Sequence, residues 1–132
     1  DQYGRIKVQF PWDREGSGNE NSSCWLRVKQ GWAGIEYGSN NIPRIGQEVI
    51  VSYENADPDR PLVTGRVYNG KNKTPYALPT HKTRTALKTQ SSLKGDGYNE
   101  FRMEDKKGQE QLFIHGEKDM DIHIKQDKKF KF

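Results

Sequence analysis

The chain has 132 residues and a mass of 15.3 kDa, which suffices for one domain or for one small domain with an extension. Only 31% of the residues are hydrophobic and 30% are charged, yet the chain holds 3 Trp, 6 Tyr, 5 Phe and 13 Gly. This composition differs from that of a disordered chain, which is poor in aromatic residues. The longest apolar runs, such as Val49 to Val51, are far too short for a transmembrane helix of about 20 residues.

The net charge of +4 is unevenly distributed along the chain. Residues 1–70 hold 8 Lys/Arg and 9 Asp/Glu, whereas residues 71–132 hold 14 and 9. A basic second half is compatible with binding to nucleic acid or to an acidic surface. Because acidic residues are interspersed among the basic ones, a solvated face of mixed charge is the more common explanation.

The residues that most often carry chemistry show no catalytic or metal-binding pattern. A single cysteine, Cys24, excludes an intrachain disulfide and a cysteine metal cage, and we expect it to be a small buried apolar side chain. His81, His115 and His123 lack metal-ligand spacing. No nucleophile motif or phosphate-binding loop occurs. We therefore predict no catalytic, cofactor-binding or metal-binding residues, and no enzymatic activity of this chain.

The first half has the period-2 pattern of short β-strands separated by turn residues. The predicted strands span residues 6–10, 24–28, 47–53 and 62–68, with a polar loop over residues 13–23. Asp57 and the neighbouring prolines predict a tight turn over residues 55–61. Short strands with partly apolar faces predict a five-stranded, barrel-like module over residues 1–70. Residues 71–82 have no periodic pattern and are predicted to be a linker.

The second half, residues 83–132, is predicted to be extended β structure with almost no helix. Two runs, residues 99–104 and 110–115, flank a turn signal over residues 105–109. The apolar residues Leu112, Ile114, Met120, Ile122, Ile124, Phe130 and Phe132 all fall on even positions, and no odd position from 115 to 131 is apolar. One face of this segment is thus expected to be a narrow apolar stripe, and the other to be charged, with His123 pointing outward.

No element of residues 83–132 offers a surface that could bury this stripe, and an apolar face must pack against another element. We therefore expect it to be covered by further copies of the chain, as in β-helices. The predicted trimer-interface residues are Leu112, Ile114, Met120, Ile122 and Ile124.

An alternative interpretation rests on the aromatic residues of the first half. Small barrels that bind single-stranded nucleic acid stack bases on aromatic rings within a basic groove. The candidates are Tyr3, Phe10, Trp12, Trp25, Trp32 and Tyr37. Since residues 1–70 are slightly acidic, the electrostatic part of such a site is missing. A nucleic-acid-binding or glycan-binding module is the second hypothesis.

Several motifs resemble the valine–glycine repeat (VgrG) spike proteins of type VI secretion. They are DQYGRIKVQFPWD (1–13), SSCWLRV (22–28), PRIGQEV (43–49), GRVYN (65–69) and NEFRMEDKKGQE (99–110), and the likeness continues through His115 to Ile122. The resemblance implies an all-β chain with an oligonucleotide/oligosaccharide-binding (OB) barrel, followed by the start of an intertwined, triple-stranded β-helix needle.

The same resemblance implies a mechanical function rather than nucleic-acid binding. A homotrimer would sit on the secretion tube protein, carry a tip cap and effectors, and make transient contact with the target membrane while it punctures the envelope. The parent protein would reside in the bacterial cytoplasm before firing and would then be delivered into the target cell. Catalytic extensions occur in some members of the family, so the activity of the parent stays open.

Overall fold

The computed structural model describes residues 1–12 and 23–132. The chain divides into two compact units, Asp1–Lys73 and Thr74–Phe132. Residues 74–82 therefore belong to the second unit by their contacts. The predicted division into a module (1–70), a linker (71–82) and a needle (83–132) stays a prediction. Most of the predicted polar loop over residues 13–23 lies outside the described residues.

The described part of the chain is almost entirely β-strand and loop. Its strands are β1 (Arg27–Val28), β2 (Glu48–Tyr53), β3 (Pro61–Val67), β4 (Arg84–Lys88), β5 (Glu100–Glu104) and β6 (Gln111–His115). A three-residue 3-10 turn, Glu54–Ala56, is the helical structure in this part. The predicted all-β class is therefore confirmed. None of the described helices has the length and apolar character needed to cross a membrane.

The sheet of the first unit has the strand order β1-β3-β2. Strands β2 and β3 are antiparallel, with a register shift between Ile50 and Val51, while β1 pairs with β3 in parallel. The turn that joins β2 to β3 has the predicted chemistry. The carboxylate of Asp57 accepts from the backbone N–H of Asp59 at 2.9 Å, and its carbonyl accepts from the N–H of Arg60 at 3.0 Å.

The predicted strand over residues 6–10 is wrong in its length. Among residues 1–12 and 23–132, the pairing seen for this segment is that of Ile6, through an isolated antiparallel bridge with Leu26. The backbone N–H of Val8 donates to the hydroxyl of Ser23 at 2.9 Å instead of to a neighbouring strand. A local bond of this kind competes with the ladder of a sheet. Leu26, on the other side of the bridge, is almost fully buried, as is Val63 of β3.

A closed barrel is not shown for the first unit, for which we predicted a five-stranded, barrel-like module. Its described strands, in residues 1–12 and 23–73, form one sheet of three strands instead of the five that we predicted. The prediction for Cys24 is also wrong, because this residue is an exposed free cysteine. Alternation from a continuous strand over residues 24–28 would bury it beside Leu26. The strand, however, starts only at Arg27, and the Ser23 hydroxyl donates to the carbonyl of Cys24 at 2.7 Å.

The second unit is an antiparallel meander with the strand order β4-β5-β6. The predicted turn over residues 105–109 is confirmed between β5 and β6. The N–H of Gln109 donates to the carbonyl of Lys106 at 2.8 Å, and Gly108 has a φ of 85°, a conformation that favours glycine. Strand β4 was not among the predicted elements.

Residues 116–132 contain no strand and are exposed throughout. The prediction of extended β structure over residues 83–132 is therefore met by β4, β5 and β6 and is not met beyond His115 in the single chain. A strand needs a neighbour for its backbone N–H and C=O groups. The single chain brings no neighbouring strand to this segment.

Candidate oligomerisation face

The sheet of the second unit has one apolar surface, which we call the apolar face. Leu87 of β4 is the cross-strand partner of Phe101 in β5, and Phe101 is the partner of Ile114 in β6. Met103 pairs with Leu112 in the same way. Cross-strand partners lie on the same side of a sheet, so these five side chains form one surface. Their exposed fractions range from 39% for Met103 to 65% for Leu87 and Leu112.

The opposite surface, the polar face, is covered by the chain itself. Glu100 and Glu104 of β5 are 4% and 8% exposed, although both are acidic. The Tyr76 hydroxyl donates to the Glu100 carboxylate, and the Arg102 guanidinium donates to the Tyr76 hydroxyl at 2.8 Å. The Arg84 guanidinium lies 4.5 Å from the centre of the Tyr76 ring. The second unit thus covers its charged surface and leaves its apolar surface in solvent.

Glu104 is held by three donors at the end of the polar face. Its carboxylate accepts from the Thr83 hydroxyl at 2.6 Å, the Lys106 N–H at 2.9 Å and the Arg84 guanidinium at 3.1 Å. These bonds favour the ionised form. They lower the pKa of Glu104 from 4.5 to about 2, with the Thr83 bond as the largest cause.

We expect the stability of the second unit to fall as the pH drops from about 4.5 to about 2. The unfolded Glu104 takes up its proton near pH 4.5 and the folded one only near pH 2, so protons favour the unfolded state across this interval. Thermal melting of the parent and of Glu104→Gln between about pH 6 and pH 2 measures this effect. The melting temperature of the variant should be lower than that of the parent at the start of this pH range, and it should fall less on acidification. If the melting temperatures of both proteins fell equally with pH, the Glu104 carboxylate would not be the cause of the acid sensitivity.

Strand β6 places its odd residues on the polar face. The Arg102 guanidinium lies 4.0 Å from the centre of the Phe113 ring, and His115 stacks on Tyr98 at 4.2 Å. Glu117 lies 3.3 Å from His115, and this bond, together with the N–H of Tyr98, lowers the pKa of Glu117. As the alternation predicts, His115 lies on the surface opposite to Ile114, and there the Tyr98 ring stacks on it.

The structure brings together two of the five predicted interface residues. Leu112 and Ile114 lie on the apolar face, as the alternation predicts. Met120, Ile122 and Ile124 are exposed, with fractions from 48% to 62%, but lie in the segment without strands. The assignment of all five to a trimer interface stays a prediction.

Three further members of the apolar face, Leu87, Phe101 and Met103, were not predicted from the sequence. A signal was available, because Phe101 and Met103 alternate with the charged residues of β5. Phe101 and Met103 have odd residue numbers, whereas Leu112 and Ile114 have even ones. A rule that selects only even positions therefore could not include both strands. The β5–β6 register is what places them on one surface.

The aromatic residues of the first unit form separate pairs. Phe10 stacks on Trp12 at 4.7 Å, and the amine of Lys7 lies 4.8 Å from the centre of a Trp25 ring. Trp32 and Tyr37 meet edge to face at 5.6 Å.

Within residues 1–12 and 23–132, no group of three or more His, Cys, Asp or Glu side chains is placed to hold a metal ion.

Comparisons with known proteins agree with this division of the chain. Residues 1–68 match the family described as the type VI secretion system/phage-baseplate injector OB domain. Residues 85–131, which contain the whole apolar face, match the bacteriophage T4 gp5 C-terminal trimerisation domain.

The chain is also similar to curated proteins over nearly its whole length. It is 60% identical over 129 residues to the type VI secretion system spike protein VgrG1b of Pseudomonas aeruginosa. The aligned residues cover 96% of this chain and 17% of that protein. It is 57% identical over 127 residues to the spike protein VgrG3 of Vibrio cholerae, covering 96% of this chain and 12% of the relative.

The actin cross-linking toxin VgrG1 of Vibrio cholerae is 54% identical over 127 residues, again covering 96% of this chain and 12% of the relative. The chain thus spans less than a fifth of the length of these relatives. The match over more than half of its residues, together with these similarities, shows that the chain belongs to the type VI secretion system/phage-baseplate injector OB-domain family and is related to the VgrG spike proteins.

Proposed function

We propose that this chain is part of a spike in which three copies associate through the apolar face and continue as a needle. The observation that carries the proposal is the exposed apolar face itself, within the residues that match a trimerisation domain. A contiguous apolar surface of this kind marks an interaction site in a soluble protein. The proposed interface includes Leu112 and Ile114, and it continues through Met120, Ile122 and Ile124.

Within residues 74–132, the side chains that cover the sheet lie on the polar face, and the apolar face stays exposed. Tyr76 is the side chain that packs across the sheet, and it is committed to Glu100, Arg102 and Arg84. Burying one large apolar side chain contributes about 1.5–3 kcal/mol, and a trimer buries each member of the face three times. In a closed cyclic trimer, the apolar face of every copy is covered, and no copy is left with an uncovered face.

The role that follows is mechanical. We infer that the parent protein penetrates the envelope of a target cell and carries effectors. Support for this role comes from the similarity of the chain to proteins named type VI secretion system spike proteins. The secretion tube protein, a tip cap and effectors are its proposed partners, with transient contact to the target membrane. Its proposed location is the bacterial cytoplasm before firing and the target cell afterwards. The chain itself is proposed to be non-enzymatic.

The mass of the chain in solution tests this proposal. Sedimentation equilibrium over a range of protein concentrations should give a species of three times the 15.3 kDa chain mass. A chain that stays monomeric at every concentration, or that forms a stable dimer, would overturn the proposal.

The second hypothesis, a nucleic-acid or glycan-binding module, has a separate readout. Nucleic-acid binding depends on phosphate neutralisation and weakens steeply with salt. Residues 1–70 hold fewer basic than acidic side chains, 8 against 9. We expect a single-stranded oligonucleotide to show no mobility shift with the chain at low salt. A shift that disappears as salt is added would favour the binding module.

A further inference from the structure

A hairpin of the first unit presents three large apolar side chains to solvent. We call it the aromatic hairpin, residues 30–41, and its antiparallel bridge joins Ala33 to Gly38. Trp32, Ile35 and Tyr37 are 66%, 90% and 62% exposed. Single exposed apolar residues are ordinary in soluble proteins, but three within six residues form a cluster that calls for a partner.

The base of the aromatic hairpin is tied by a network of hydrogen bonds. The Gln30 side chain accepts from the Asn41 N–H at 3.0 Å and donates to the Asn41 carbonyl at 3.5 Å. The N–H of Ser39 donates to the Trp32 carbonyl at 2.9 Å, and the Ser39 hydroxyl accepts from the Trp32 N–H at 3.1 Å. These bonds fix the backbone on both sides of the exposed cluster.

Two glycines make the close packing of the tip possible. Gly38 has a φ of +140°, and a Cβ there would lie 2.4 Å from the Trp32 carbonyl oxygen. A Cβ on Gly34 would lie 2.4 Å from the Tyr37 ring, so this ring lies directly against the backbone. A rigid hairpin with Trp and Tyr at its surface loses little conformational entropy on binding, which is typical of residues that dominate protein interfaces.

The charge of the aromatic hairpin indicates what kind of partner fits. Between positions 30 and 41, Glu36 is the sole residue of the types Asp, Glu, Lys and Arg, and it is acidic. Nucleic acids and anionic membranes attract clusters of Lys and Arg, which this segment lacks. A neutral protein surface is therefore the better match for the hairpin.

The trimer supplies such a surface at high local concentration. The first unit, Asp1–Lys73, is followed directly in the chain by the second, Thr74–Phe132. Association through the second unit therefore tethers three first units together, at effective concentrations that short connections raise to about millimolar. At that concentration, a contact with a dissociation constant of about 1 mM is already half-formed.

We propose that the tip of the aromatic hairpin, formed by Trp32, Ile35 and Tyr37, packs against the first unit of the next copy in the trimer. This inference rests on the proposed function, because the trimer provides the partner. The contact is head to tail, so that each copy uses its hairpin once and the ring closes after three copies.

Fluorescence of Trp32 in the full chain tests the proposal. Replacing the other tryptophans (Trp12→Phe and Trp25→Phe) leaves Trp32 as the sole indole. Acrylamide quenching is then compared between the trimer and the variant that also carries Ile114→Asp, which serves as the dissociated reference. We expect acrylamide to quench the fluorescence of Trp32 much less in the trimer than in the reference. The emission of Trp32 in the trimer should also lie at shorter wavelength. A trimer in which Trp32 is quenched as strongly as in the reference would overturn the proposal.

A matched pair of variants separates this contact from the apolar face. Ile35 and Ile45 are both highly exposed isoleucines, 90% and 103%, but Ile45 lies outside the cluster. Ile35→Ser should raise the concentration at which half of the chains are trimeric, whereas Ile45→Ser should not. If the parent trimerises and both variants behave alike, the hairpin contact is absent and the proposed function stands. If the parent never trimerises, the proposed function itself fails.

Discussion

Ile114→Asp is expected to convert the trimer into monomers. Ile114 lies on the apolar face beside Phe101, its cross-strand partner. In the proposed trimer, the change removes three buried isoleucines, each of which contributes about 1.5–3 kcal/mol. It also places three carboxylates in an apolar interface, where desolvation and mutual repulsion oppose ionisation. Sedimentation velocity and thermal melting at one protein concentration should show loss of the trimer and a large drop in melting temperature.

Gln109→Asp is the matched control for this variant. It introduces the same carboxylate into the exposed turn between β5 and β6, a few residues away on the same hairpin. Surface substitutions of this kind change stability by about 0.5 kcal/mol or less. Trimers of equal mass and stability for the two variants would show that the apolar face is not the interface.

Ile122→Asp is expected to have an effect of the same kind farther along the chain. Ile122 is 52% exposed in the single chain and belongs to the even, apolar positions of residues 116–132. If this segment forms strands between copies, the side chain lies in the shared interior, and three carboxylates there destabilise the assembly. Light scattering should report dissociation, and the melting temperature should fall.

The control is the neighbouring substitution, His123→Asp. It introduces the same side chain one position later, so only the alternation of a β-strand separates the two variants. His123 is exposed and has odd parity, and we expect its substitution to leave the trimer intact. If Ile122→Asp is as trimeric and as heat-stable as His123→Asp, the needle does not begin within residues 116–132 as proposed.

The two predicted effects differ in how far the structure supports them. For Ile114, the register of three strands places the side chain among other apolar ones, and Tyr76 covers the opposite surface. For Ile122, the support is the parity of the sequence and the match to a trimerisation domain. A result in which only Ile114→Asp dissociates the trimer would confine the interface to the sheet.

Local patterns in the sequence were sufficient for the class of the fold and for its turns. Alternation of apolar and polar residues predicted β2 and β3, and turn residues predicted the connections around Asp57 and Gly108. Parity also predicted that Leu112 and Ile114 share a face. These features depend on neighbours within a few residues, for which periodicity and backbone preference are sufficient.

Tertiary contacts decided what local patterns could not. The strand predicted from residue 6 is reduced to one bridge because Ser23, far along the chain, takes the N–H of Val8. Which surface of the second sheet is buried depends on Tyr76, which lies 24 residues before Glu100.

By itself, therefore, the sequence determined an all-β chain with an apolar stripe that needs a partner. The tertiary structure added Leu87, Phe101 and Met103 to that stripe, because only the pairing register of separate strands brings side chains of different parity onto one surface.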